Sequence, residues 1–128
     1  MVKFTAPDDS KVDVDPLRVI RIRAAIYGEN AAAKTRIDWI TLSLVKEAVD
    51  DVVPLIKAGL PSLAVLSGSD GRKIWFDAKQ AVGPIEITPT QKKYGFNSSI
   101  KIMGYRQYVR ETPDEVRSVL RAAGGSPS

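Results

Sequence analysis

The residues of this chain that could do chemistry are basic, acidic and aromatic, because among its 128 residues there is no Cys and no His. Those absences remove disulfide scaffolds, thiolate zinc sites, Cys nucleophiles and imidazole acid–base catalysis. Carboxylates, Lys, Ser, Thr and Tyr remain, and three groups of them stand out by spacing. In Lys92-Lys93-Tyr94-Gly95-Phe96 two cations are interleaved with two aromatics. Aromatics that stack bases beside cations that meet phosphates are what a single-stranded nucleic-acid surface needs. Arg72, Lys73, Lys101 and Arg106 are expected nearby on the same sheet. The competing reading is a hairpin loop whose Tyr94 and Phe96 cap the core while the lysines stay in water.

The second group, Ser67-Gly68-Ser69-Asp70-Gly71-Arg72-Lys73, has the small residues of a phosphate loop. A P-loop, however, needs Gly-x-x-x-x-Gly-Lys-[Ser/Thr] opening a helix, and this run leads into an alternating strand. Asp70-Gly71 therefore reads as a hairpin turn that supplies positive φ. The third group is Asp8, Asp9, Asp13 and Asp15. It lacks the central Gly and closing Glu of an EF-hand, and Asp13 and Asp15 fall on the solvent side of a strand. Asp50, Asp51, Asp114 and Glu115 lie at helix starts, where the macrodipole accounts for them. No catalytic constellation, metal or cofactor is expected. Trp75 is an anomaly, a large apolar residue on the outward side of its strand, suited to packing between units or to anchoring a partner protein.

These groups need elements to position them. The net charge of +4 lies entirely in the second half: residues 1–59 carry 9 basic and 9 acidic residues, and residues 60–128 carry 10 and 6. The two halves also align. Asp8-Asp9-Ser10-Lys11-Val12-Asp13-Val14-Asp15 matches Asp70-Gly71-Arg72-Lys73-Ile74-Trp75-Phe76-Asp77 at an offset of 62. Val45-Lys46-Glu47-Ala48-Val49-Asp50-Asp51-Val52 matches Val109-Arg110-Glu111-Thr112-Pro113-Asp114-Glu115-Val116 at an offset of 64. A repeat with one small insertion follows.

Each unit reads as β-β-β-β-α. Strands are expected at 3–6, 11–14, 18–26 and 35–45, and again at 63–66, 73–76, 82–88 and 99–109, with loops at 27–34 and 89–97. Thr112-Pro113-Asp114-Glu115 is a capping box with Pro at the first helical position, and Val116, Val119, Leu120 and Ala123 form one apolar stripe ended by Gly124-Gly125. The first helix, striped by Val52, Leu55 and Ile56, is expected to be shorter and to start later, capped by Asp50 or Asp51, so that Pro54 stays in its first turn. Units of about 60 residues are marginal alone. The expected fold is thus α+β, two tandem β-β-β-β-α repeats, 1–59 and 60–124, packed as one pseudo-two-fold domain of antiparallel sheets with a short helix closing each repeat. Residues 125–128 are expected as a flexible tail.

Asp70-Gly71, Ile74-Trp75-Phe76 and the closing run Val109 to Val116 resemble the small FlbD-type flagellar proteins of bacteria, here as a tandem of two units with a longer middle loop. That resemblance implies a small accessory or interaction protein rather than a defined enzyme. The start has no signal-peptide pattern and no window approaches the roughly 18 apolar residues of a membrane span, so a soluble, cytoplasmic bacterial protein is expected. The leading functional expectation is a non-enzymatic protein-interaction or structural module, self-association included, using an exposed sheet edge or the Trp75 side. The alternative is nucleic-acid binding by the second repeat through Arg72, Lys73, Lys92, Lys93, Tyr94, Phe96, Lys101 and Arg106.

Overall fold

The computed structural model describes residues 1–26 and 28–128. Tyr27, the first residue of the expected loop at 27–34, lies outside the described residues. The fold is α+β, with ten strands and three α-helices among the described residues. The chain divides into two compact units, Met1–Pro61 and Ser62–Ser128.

In the first unit β1 (Val2–Thr5) and β2 (Lys11–Val14) pair antiparallel. The turn between them closes through Ala6 N–H to Ser10 O at 2.8 Å, with Asp9 at φ +70° and the Ser10 N–H on the Asp8 carboxylate at 3.0 Å. Asp15 then caps a short 3-10 helix, Pro16–Arg18, by accepting the Leu17 N–H. β3 (Arg21–Ala24), β4 (Thr35–Asp38) and β5 (Leu42–Val45) form an antiparallel meander. Alternation turns Ile22, Thr35, Ile37 and Val45 inward, where they are buried with Phe4, Val14, Val19, Val52 and Ile56. Helix α1 (Val49–Gly59) closes the unit.

The second unit opens in the same way. β6 (Leu63–Ser67) pairs with β7 (Lys73–Asp77). Their turn closes through Gly68 N–H to Arg72 O at 2.9 Å, with Gly71 at φ +83° and the Arg72 N–H on the Asp70 carboxylate at 3.0 Å. Asp77 caps a 3-10 helix, Ala78–Gln80, through the Lys79 N–H. β8 (Ala81–Ile85), helix α2 (Pro89–Lys93), β9 (Ser98–Ile102) and β10 (Tyr105–Val109) follow, with strand order β10-β9-β8, and α3 (Pro113–Ala122) ends the unit.

A single carboxylate ties the last strand back to the first in each unit. Glu47 accepts the Thr5 N–H at 2.9 and 3.1 Å and the Thr5 hydroxyl at 3.0 Å, while Lys46 N–H reaches Thr5 O. Glu111 accepts the Ser67 N–H at 2.9 Å, while Arg110 N–H reaches Ser67 O. Burial works to raise the Glu47 pKa, but the bonds from Thr5 outweigh it and the carboxyl titrates below its usual range.

Five expectations need correction. The runs 35–45 and 99–109 are each a hairpin, not one strand, so each unit has five strands. Such runs exceed the usual strand of about 5–6 residues, and Gly104 at φ +88° with Met103 at φ +49° makes the tight turn of the second hairpin. Arg18, the first residue of the run expected at 18–26, ends the 3-10 helix instead, and the strand in that run is Arg21–Ala24. The loop expected at 89–97 contains α2, whose Thr88 and Gln91 make a full capping box. Helix α1 is not delayed. It starts at Val49 with Ala48 as its cap and runs 11 residues against 10 for α3, so Pro54 lies inside it. Buried Val52 and Ile56 hold the helix across the missing Pro54 N–H, while Leu55 is largely exposed. Residues 125–128 also have fixed contacts: Ser128 donates its N–H to Gly83 O at 2.8 Å and accepts from Arg117 at 3.0 Å.

Candidate functional site

Alternation on β9 and β10 settles which side chains share the outer face of the three-stranded sheet. Ile100, Ile102 and Val109 point inward and are buried. Lys101, Arg106 and Tyr108 therefore point outward, and Lys101 stands directly opposite Arg106 in the ladder. Arg110, one residue beyond β10, continues the alternation, and its guanidinium lies at the β6–β7 turn, 3.3 Å from where a Cβ on Gly71 would sit. β10 thus presents Arg106 and Tyr108 on this face, spaced about 6–7 Å apart.

Helix α2 is fastened beside this face. Gln91 Nε2 donates to the Tyr108 hydroxyl at 2.6 Å, and the Phe96 ring lies 5.5 Å from that of Tyr108, tilted by 44°. The Arg106 guanidinium lies over the Tyr108 ring at 5.8 Å from its centroid. Tyr94 caps the C-terminal end of α2 and is 71% exposed, next to the exposed Lys92 and Lys93. The expectation for the aromatics divides here: Phe96 packs against its neighbour, and Tyr94 stands in solvent.

Arg72 and Lys73 do not share the sheet of Lys101 and Arg106, contrary to expectation. Arg72 sits in the β6–β7 turn and pairs with Asp70 at 3.1 Å, and Lys73 begins β7. The link to the candidate face is the loop after α2, where a Cβ on Gly95 would lie 3.2 Å from the Ser69 Cβ. Trp75 is half-buried and faces Val65 across the β6–β7 ladder. In the first unit Lys3 and Asp13, opposite each other in the β1–β2 ladder, form an ion pair at 3.0 Å.

The units treat their cations differently. In the first, Lys3, Arg18, Arg21, Arg23, Arg36 and Lys46 form ion pairs, six of nine basic residues. In the second only Arg72 and Arg117 do, two of ten among the described residues. Arg21 and Arg23 are mostly shielded in a network. Arg23 stands opposite Arg36 across β3 and β4, and Glu29 bridges the two at 3.1 and 3.0 Å, while Asp38 joins Arg36 to Arg21. Burial pushes the Glu29 pKa up, but the Ile26 N–H and both guanidinium groups override it and hold the carboxyl at about 2. Lys101 and Arg106 make the same like-charged cross-strand pair, yet among the described residues no carboxylate forms an ion pair with either. Such a pair is unfavourable on its own.

The other acidic residues have structural partners. Asp8 accepts from Ser10, Asp9 pairs with Lys46, Asp13 with Lys3, and Asp15 caps a helix. Among the described residues no three acidic groups converge as metal ligands would, and no helix is long and apolar enough to cross a membrane. Arg110 was missing from the sequence reading of the site, although Arg106-x-Tyr108-x-Arg110 at a spacing of two was a usable signal once the run was read as a strand. No family model, curated protein or solved structure matches this chain.

Proposed function

We propose that the chain is a non-enzymatic interaction module of the cytoplasm, built from two copies of one unit, with the binding surface on the second. The duplication is supported by shared devices at near-constant offsets. The Asp8 and Asp70 turns, the Asp15 and Asp77 caps, the Glu47 and Glu111 ties and the helix starts at Val49 and Pro113 all recur. The likeness to FlbD-type proteins fits the same reading, since it too implies an accessory protein.

The observation that carries the assignment is the unequal pairing of cations, above all the unbridged Lys101–Arg106 pair. A scaffold that neutralises its cations in one copy and leaves them open in the other has kept the second for an acidic partner. Retention on heparin resin tests this. Replacing Lys92, Lys93, Lys101 and Arg106 by Ser should lower the eluting salt concentration clearly, while replacing Lys34 and Lys57 in the first unit should change it little. Equal effects from both sets would sink the assignment.

A second reading rests on Val65 and Trp75, an apolar pair where the first unit has an ion pair, with Val65 40% exposed. It makes the β6–β7 face a contact for another protein or a second copy. Light scattering over a range of concentrations tests it: mass that rises with concentration in the wild type and stays monomeric in Val65→Asp supports this surface.

A further inference from the structure

We infer that the outer face of β8–β9–β10, with α2 beside it, binds single-stranded nucleic acid; this rests on the second unit being the binding half and names its ligand. The Glu29 bridge shows what a like-charged cross-strand pair requires in this scaffold. There the Glu29 carboxylate accepts from Arg23 on both oxygens, at 3.1 and 3.2 Å, and shares one of them with Arg36 at 3.0 Å. Lys101 and Arg106 have the same ladder relationship without the acid, and a phosphate oxyanion supplies equivalent acceptors. Lys92 and Lys93 add two more cations from α2, and Arg110, just beyond β10, carries its guanidinium at the β6–β7 turn.

The aromatics make a nucleic acid a better occupant than an acidic peptide. Tyr108 is braced on three sides, by Gln91, Phe96 and Arg106, so it is a fixed platform among the cations. Tyr94, by contrast, is open to solvent next to Lys92 and Lys93, free to take a base on its ring. Stacking of this kind needs unpaired bases, which selects a single strand over a duplex. An acidic peptide would use the cations and leave Tyr94 idle.

The test is fluorescence anisotropy of the full chain with labelled oligo-dT and oligo-U of about 20 nucleotides, a duplex of the same length, and polyglutamate and polyphosphate as competitors. Engagement of three or four phosphates gives an affinity that falls about 20- to 50-fold between 50 and 200 mM salt. Lys101→Glu with Arg106→Glu should abolish binding, and the milder Lys101→Ser with Arg106→Ser should weaken it strongly while circular dichroism stays that of the wild type. Tyr94→Ala should weaken oligonucleotide binding roughly tenfold and leave polyphosphate binding unchanged. If polyglutamate or polyphosphate competes as well as oligo-dT and Tyr94→Ala changes nothing, the nucleic-acid assignment fails while the second unit stands as the binding half. If no polyanion binds at low salt, or the Lys101 and Arg106 variants bind like the wild type, both fail.

Discussion

Ser98 sits directly opposite Val109 across β9 and β10 with its hydroxyl buried and without a hydrogen-bond partner among the described residues. Its neighbour Ser99 is equally buried but donates to Ile85 O at 3.2 Å. A buried hydroxyl that gives up water for nothing is a net loss to stability. Ser98→Ala should therefore raise the unfolding free energy by about 1 kcal/mol, read by urea denaturation, and Ser99→Ala should lower it.

The Glu29 network gives a pH dependence with a definite sign. Its carboxyl titrates at about 2 in the folded chain against a usual 4.5. A depressed acid stabilises the fold above its unfolded pKa, and that contribution disappears as pH falls from about 5 towards 2. Allowing for solvent screening, it amounts to about 1–2 kcal/mol. Glu29→Gln should lose this much at neutral pH, because Arg23 and Arg36 then face each other unbridged, and its acid unfolding curve should be flatter in that window.

Lys101→Glu should do two opposite things. It converts a repulsive cross-strand pair into an attractive one with Arg106, worth about 0.5 kcal/mol of added stability, and it removes affinity for polyanions. A variant that is both less stable and non-binding would mean that Lys101 has a packing role the ladder does not show.

Gly59, the last residue of α1, lies against Pro16. A Cβ there would come within 2.9 Å of the Pro16 Cβ and Cγ. Gly→Ala in a helix ordinarily gains up to about 1 kcal/mol, but Pro16 is buried and its ring cannot swing aside. Overpacking of about 1–3 kcal/mol wins, so Gly59→Ala should lower the denaturation midpoint.

Much of this architecture was legible in the residues. The offset of 62 marks the two turns and the Thr112 capping box marks the start of α3, because turn and cap chemistry depends on a few residues close in sequence, whereas the ties of Glu47 and Glu111 and the early start of α1 have no such local sign. The hairpin at 35–45 was not legible: Trp39-Ile40-Thr41 has neither Gly nor Pro, and its turn is closed by Trp39 N–H to Thr41 O and Trp39 Nε1 to Ser43. Helix α2 was legible and missed, since Thr88-Pro89-Thr90-Gln91 has the same grammar as Thr112-Pro113-Asp114-Glu115. For the site, composition alone marked the basic second half. Which cations are open depended on acids distant in sequence such as Glu29, and on a register that no single strand displays.

Helix α2 is five residues long and buries none of them. It is held by its capping box, by Gln91 on Tyr108 and by the turn into Phe96. Too short to be stable alone, it should open far more readily than the strands beneath it, and its amides should exchange with solvent orders of magnitude faster than those of β9. The cations of α2 are then presented on an element in equilibrium between wound and unwound forms. Affinity becomes tunable from a residue that touches no partner: Thr90→Ala, which raises helix propensity, should slow exchange across 89–93 and tighten binding by a small factor.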